Sequence, residues 1–233
     1  VEALIAAALA LRFSQQYGFD PGVALWHGLF QAVSAFNNAG FSTFSTSMIE
    51  FQGDGLILGP IMLGVMLGAL GFPVMQDLRA RGRAWRRWTL HTKITLTGTA
   101  ILLLLGFVTT LVTEWTNPAT LGPMGLDGKL LNAAFHSVMP RTAGFNSLDL
   151  AAFREETLVL NYVLMFIGGG SAGTAGGIKV TTFFVLLAIV ASEVLRRRDA
   201  SMFGRRFGHS VERQALTIAV LALGMILVAT MYI

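Results

Sequence analysis

Two short polar segments of this sequence nearly repeat each other and have the composition of an ion-binding turn. They are Asn37-Asn38-Ala39-Gly40-Phe41 and Arg141-Thr142-Ala143-Gly144-Phe145, with the two Ala-Gly-Phe cores 104 residues apart. A ring of backbone carbonyl oxygens can replace the hydration shell of a cation, and glycine reaches left-handed backbone angles without steric cost. Either segment alone would be an ordinary turn. Two copies, each before a long apolar segment, predict a cation filter with the cation bound at residues 38–40 and 142–144.

A cluster of six glycines between Gly168 and Gly177 interrupts the longest apolar segment of the chain. Each glycine costs a helix about 1 kcal/mol relative to alanine, and unwound backbone in a membrane is tolerated only where it lines a cavity or is buried in protein. We therefore predict an intramembrane loop below the filter. Its predicted members are Gly168, Gly169, Gly170, Ser171, Gly173, Thr174, Gly176, Gly177 and the adjacent Lys179.

Other interpretations of these residues remain open. Small residues could instead pack helices closely, whereas a dinucleotide-binding glycine pattern would need a preceding strand. We expect Ser171 and Thr174 to hydrogen-bond carbonyls freed by the break. Lys179 either faces a cytoplasmic cavity or anchors the helix end. We expect Arg141 to brace the second turn through carbonyl groups or a carboxylate such as that of Asp149.

The composition and the lengths of the apolar segments indicate which elements position these turns. Hydrophobic residues make up 54% of the chain and charged residues 13%, which is typical of a membrane protein. A membrane helix needs about 20 apolar residues. Candidates are Ala3–Phe13, Leu56–Met75, Ile94–Thr113, Leu158–Val194 and Ala215–Ile233. Pro21–Phe36 and Asp127–Val138 are too short and mixed to span, so we predict a re-entrant half-helix before each turn.

The charged and reactive residues argue against several other classes of protein. The chain has no cysteine, and no nucleophile, base and orienting group cluster together, so an enzyme is not indicated. His27 and His136 lie in the half-helices without metal-ligand spacing, and we expect them to pack or hydrogen-bond there. The basic residues concentrate at 79–87 and 196–206, between apolar segments. This pattern is typical of cytoplasmic loops rather than of a nucleic-acid-binding surface.

These observations predict an all-α, multi-pass membrane protein built from repeats of outer helix, pore half-helix, filter turn and inner helix, as in potassium channels. Both filter turns would face outward. The predicted divisions are a pore hairpin at 1–80, a cytoplasmic basic loop at 81–92, a hairpin with a broken inner helix at 93–195, a second basic loop at 196–212 and a further outer helix at 213–233. Because both ends lie inside apolar runs, we expect the first and last hairpins to be truncated.

The segments Ser34–Ser42, Arg141–Asn146 and Gly168–Phe183 resemble the second filter, the third filter and the broken third-repeat inner helix of the TrkH/KtrB superfamily. The resemblance implies four hairpins around a pseudo-fourfold pore in the bacterial inner membrane. It also implies K⁺ as the permeant ion, with Na⁺ as the alternative, and no covalently bound cofactor. A homodimer, a gate at residues 168–177 and a cytoplasmic nucleotide-binding regulatory subunit of the TrkA/KtrA kind are further expectations. The alternative is a secondary transporter that binds its substrate at the broken helix.

Overall fold

The computed structural model describes residues 1–196 and 199–232. Arg197 and Arg198 of the predicted second basic loop, and Ile233 of the predicted final helix, lie outside the described residues. The helices are α1 (Glu2–Tyr17), α2 (Pro21–Phe36), α3 (Gly55–Leu70), α4 (Phe72–Arg81), α5 (Leu90–Glu114), α6 (Leu126–Val138), α7 (Glu155–Phe166), α8 (Val180–Val194) and α9 (His209–Tyr232). The predicted helical class is confirmed, and the second basic segment adds a small antiparallel hairpin of β1 (Ser201–Met202) and β2 (Arg205–Arg206).

Short helices, α2 and α6, occupy the two segments for which the sequence predicts half-helices. Helix α2 has 16 residues and α6 has 13, so at about 1.5 Å per residue each is shorter than a hydrocarbon core of about 30 Å. Pro21 occupies the first turn of α2, where its missing N–H has no cost. Asp20 stands at the N-cap position, but its side chain makes no capping hydrogen bond.

The prediction of one continuous helix over Leu56–Met75 is wrong. Helix α3 ends at Leu70, and the chain bends by 92° before α4 begins. Gly71 at the bend has a φ of 86°, a conformation that glycine adopts readily. Among the described residues, α5 and α9 are each long and apolar enough to cross a membrane, and α3 with α4 would add a third span if the bent pair is counted as one.

Two apolar cores position the turns and the loop. The first joins α1, α2, α3 and α6, and it also contains Ala143 and Phe145 of the second turn. The second core joins α5, α7 and α8 around Leu102, Leu164 and Val180. The second polar turn is therefore packed against the helices that carry the first one.

Two buried carboxylates fix the ends of helices. Glu114, at the end of α5, accepts hydrogen bonds from the Asn117 side chain at 2.6 Å, from the Thr120 hydroxyl at 2.7 Å and from the Arg154 backbone N–H at 3.0 Å, and it also accepts one from the Thr157 hydroxyl. Asp54 caps α3 by accepting from the Leu56 N–H at 2.9 Å, and it pairs with Arg12 of α1 at 2.7 Å. These contacts connect the start of α7 to α5 and the start of α3 to α1.

Candidate ion pathway

The two polar turns have the same unusual backbone. Asn38 and Gly40 have φ values of 51° and 74°, and the corresponding Thr142 and Gly144 have values of 70° and 82°. In both turns the alanine between them does not share this left-handed conformation. Glycine and asparagine tolerate positive φ, but a β-branched threonine does so only where surrounding contacts hold it. The predicted sequence repeat is therefore also a repeat of backbone geometry.

The turns meet each other through their glycines. A Cβ atom added to Gly40 would lie 2.6 Å from the carbonyl oxygen of Ala143 and 2.7 Å from the Cα of Gly144. A Cβ added to Gly144 would lie 2.9 Å from the Cα of Gly40. Neither position leaves room for a side chain, so the two backbones approach each other directly.

The carbonyl groups of both turns are left available. Among residues 1–196 and 199–232, no hydrogen bond reaches the carbonyl oxygens of residues 38–40 or 142–144. The alanine N–H groups are used, since Ala39 donates to the Ser34 carbonyl at 2.9 Å and Ala143 donates to the Met139 carbonyl at 3.0 Å. Carbonyls away from water need a partner. This arrangement can coordinate a desolvated cation, and the negative ends of the dipoles of α2 and α6 lie beside it.

Two polar side chains of α2, which the sequence analysis missed, support the first turn through hydrogen bonds. The Ser34 hydroxyl donates to the Phe41 carbonyl at 2.7 Å, and the Gln31 amide donates to the Ser42 hydroxyl at 2.8 Å. The available signal was their spacing of three residues on an otherwise apolar half-helix. The expected hydrogen bonds of His27 and His136 are present, between His27 Nδ1 and the Thr43 hydroxyl at 2.7 Å and between His136 Nε2 and Oδ1 of Asn161 at 2.9 Å.

The glycine cluster forms a closed loop between α7 and α8, at the place where the sequence predicts a break. The Gly168 N–H donates to Ile178 at 2.9 Å, the Ile178 N–H donates to Phe166 at 3.0 Å and the Val180 N–H donates to Gly169 at 2.9 Å. These bonds join the two ends of the loop. A side chain on Gly168 would collide with the carbonyl of Gly176, so the closure depends on glycine.

The same loop lies against the end of α3. The Gly170 N–H donates to the Ala69 carbonyl at 2.7 Å, and the Thr174 N–H donates to the Gly68 carbonyl at 3.1 Å. Carbonyls in the last turn of a helix lack intrahelical partners, and the bend at Gly71 leaves these two free for the loop. A Cβ on Gly173 would lie 2.5 Å from the Ala69 oxygen.

The loop also contacts both polar turns. The Thr174 hydroxyl lies 2.7 Å from Oδ1 of Asn38 and 3.0 Å from the Phe36 carbonyl, and the Gly176 N–H donates to the Thr142 hydroxyl at 2.9 Å. The Arg141 guanidinium donates to the Gly168 carbonyl at 3.1 Å. The structure therefore brings the two turns and the loop together.

Expectations for individual loop residues have mixed outcomes. The expectation that Ser171 and Thr174 bond carbonyls freed by the break is wrong for both. The Thr174 hydroxyl reaches the Phe36 carbonyl at the end of α2 and the Asn38 side chain, and the Ser171 hydroxyl pairs with that of Thr181 at 3.3 Å. Arg141 braces a carbonyl and not Asp149, whose carboxylate accepts from the Ala151 N–H. Lys179 stands at the N-cap of α8, and its ammonium group donates to the Ala175 carbonyl.

Comparison with known proteins gives consistent results. Residues 1–233 match the family described as TrkH, cation transport protein. The chain is 40% identical over 223 residues to the Ktr system potassium uptake protein B of Bacillus subtilis, covering 96% of this chain and 49% of that protein. It is 36% identical to the potassium/sodium uptake protein NtpJ of Enterococcus hirae, covering 99% of this chain and 50% of that protein.

A solved structure shares the fold. The potassium transporter TrkH from Vibrio parahaemolyticus superposes with a TM-score of 0.71 at 21% identity, covering 92% of this chain and 45% of that one. The chain thus spans about half the length of the curated relatives that it matches.

Proposed function

Because this chain belongs to the TrkH family of cation transport proteins, we propose that it supplies two filter turns and the gate of a pore for potassium uptake. The family consists of transport proteins and not enzymes. The relatives named above take up potassium, or potassium and sodium. K⁺ is therefore the proposed permeant ion, and Na⁺ is the alternative.

One observation carries the proposal. Two turns with matching left-handed residues meet at Gly40 and Gly144, and their carbonyl groups accept no hydrogen bond from the described part of the chain. A filter needs carbonyl oxygens that are free to replace water around a cation. We propose that residues 38–40 and 142–144 provide them, and that two further turns of the whole protein complete the ring.

The loop at 168–177, with Lys179, is the proposed gate. It contacts both turns and is held mainly by backbone hydrogen bonds and close glycine packing. An ion that has passed the turns would meet this loop next. A shift of about 1.4 kcal/mol between two loop arrangements would change the ratio of open to closed pores tenfold.

The alternative of a substrate site at the broken helix receives less support. Such a site exposes backbone groups of the unwound segment to a ligand. Here the N–H groups of Gly168, Gly170, Thr174, Gly176 and Ile178 all donate to other atoms of the chain. Few donors are left for a substrate, which favours the gate over the binding site.

Reconstitution of the full-length protein tests the proposed ion. In liposomes of bacterial lipid, uptake of K⁺ or its tracer Rb⁺ should exceed that of Na⁺, with choline excluded. Vesicles no more permeable than protein-free ones, or vesicles equally permeable to K⁺ and choline, would overturn the proposal.

Two variants test the gate. Deletion of most of residues 168–177 should raise flux and weaken its regulation in normally assembled protein. Gly173→Ala is a milder variant with the same expected increase in flux, because its Cβ would push the loop away from the Ala69 carbonyl. Assembled variants with unchanged or lower flux would count against the gate.

We also propose a homodimer in the bacterial inner membrane, docked on a cytoplasmic ring of nucleotide-binding regulatory subunits. The two basic segments would face this ring, and they touch each other through Trp85 and Phe203, whose ring centroids are 5.8 Å apart. Purification from native membranes should recover pore and regulatory subunits together, with flux that responds to nucleotide. Recovery of the pore subunit alone, with flux indifferent to nucleotide, would contradict this assembly.

A further inference from the structure

Asn38 and Thr142 occupy the same place in the two turns, immediately before the Ala-Gly pair, and both have left-handed φ values. Each presents a side-chain oxygen to the loop. Thr174 donates to Oδ1 of Asn38 at 2.7 Å, and the N–H of Gly176 donates to Oγ1 of Thr142 at 2.9 Å. Thr174 and Gly176, two residues apart in the loop, therefore donate hydrogen bonds to equivalent residues of the two turns.

These hydrogen bonds support conformations that the turns disfavour by themselves. Positive φ is uncommon even for asparagine, which tolerates it, and it is costly for a β-branched threonine. Asn38 is only 9% exposed, and its amide nitrogen is buried without a partner among the described residues. Without the Thr174 hydroxyl, the Asn38 oxygen would lose its only hydrogen bond within the described chain, which a buried amide does not tolerate without rearrangement.

We propose that Thr174 and Gly176 are positioning residues for the filter, so that the loop determines which ion passes as well as how much. The inference rests on the proposed function, because it assigns the loop a second role in the same pore. In the arrangement described here the loop holds both left-handed residues, and their carbonyls keep the spacing that selects the ion. When the loop moves away from the turns, both turns lose these hydrogen bonds together, and the filter discriminates less between K⁺ and Na⁺.

The test compares Thr174→Val with Thr174→Ser in the reconstituted full-length protein. Valine keeps the shape of threonine and removes the hydroxyl, whereas serine keeps the hydroxyl. The K⁺/Na⁺ permeability ratio should fall about fivefold or more in Thr174→Val and stay near wild type in Thr174→Ser. Ser171→Ala is the matched control, because that hydroxyl lies in the same loop but pairs with Thr181 and not with a turn.

A wild-type permeability ratio in Thr174→Val would overturn the inference, even if total flux changes, and would leave the gate proposal intact. A lowered ratio in Ser171→Ala as well would also overturn it, because the effect would then be general to the loop. Thr174→Ala gives the same comparison if the valine variant does not assemble. Absence of K⁺ flux in the wild-type protein would instead refute the proposed function, so the two failures are distinguishable.

Discussion

Replacement of Gly40 by alanine is the most direct test of the filter geometry. Alanine at a φ of 74° costs about 1–2 kcal/mol in backbone strain. The new Cβ would also lie 2.6 Å from the carbonyl oxygen of Ala143, whereas an unstrained carbon–oxygen contact is about 3.3 Å. A proposed ion-binding carbonyl must therefore move by about 0.7 Å. We expect the displaced carbonyl to bind K⁺ less well relative to Na⁺ by about 1.4 kcal/mol or more. Such a loss is a factor of ten, so the K⁺/Na⁺ permeability ratio should fall at least about tenfold.

Two other glycines serve as controls that distinguish the effect of backbone strain from that of the steric clash at Gly40. Gly18 has a φ of 67° with no atom within 4 Å of an added Cβ, and Gly53 has neither a positive φ nor a neighbour within 4 Å. Gly18→Ala should lower the melting temperature through strain of about 1–2 kcal/mol and leave selectivity unchanged. Gly53→Ala should change neither quantity.

The assay is tracer flux from liposomes with K⁺ and Na⁺ gradients, with the melting temperature of each variant measured in detergent. Gly40→Ala should combine the stability loss seen in Gly18→Ala with a loss of selectivity that Gly18→Ala lacks. A Gly40→Ala protein with wild-type selectivity would refute the reasoning, because neither the strain nor the collision would then act on an ion-binding group.

Two further predictions concern the carboxylates that fix helix ends, both measured by thermal unfolding of the purified full-length protein. Glu114→Gln should cost about 2–3 kcal/mol, because in either orientation the new NH₂ would face an N–H donor, that of the Asn117 side chain or of the Arg154 backbone. The exposed Glu156→Gln should stay within about 0.5 kcal/mol, and equal melting temperatures of the two variants would contradict this account. Asp54→Asn should keep the cap on Leu56 and lose the ion pair with Arg12, together with the hydrogen bond that the same oxygen accepts from the Tyr17 hydroxyl at 3.2 Å. We expect a cost of about 1 kcal/mol for this partly exposed site, and Asp54→Ala should cost about 1 kcal/mol more. Equal losses in the two Asp54 variants would show that the cap contributes nothing.

The elements that follow local rules could be predicted from the sequence. Half-helix α2 begins at Pro21 and ends before a polar turn, and the break between α7 and α8 follows from a density of glycine that no helix tolerates. That Gly40 and Gly144 occupy equivalent positions could also be predicted, because the residues around them repeat. In each case the signal lies within a few residues of the feature that it predicts.

Features that depend on distant contacts could not be predicted in this way. Gly59 and Gly71 fall in the same apolar run, yet Gly59 stays helical and Gly71 turns the chain, because only the latter meets the loop backbone. Ser171 and Thr174 have similar chemistry, and only their three-dimensional neighbours decide that one reaches a turn and the other pairs with Thr181.

The attachment of the loop to the end of α3 has a consequence for how such a pore opens. Movement of the loop would strip the carbonyls of Gly68 and Ala69 of their hydrogen-bond donors, and the N–H groups of Gly170 and Thr174 of their acceptors. Lipid offers no replacement for either. Only water entering the vacated space could solvate these groups, so opening would be a wetting transition as much as a mechanical one. Its equilibrium would then depend on water activity, and osmotic conditions would themselves act as a regulator of flux.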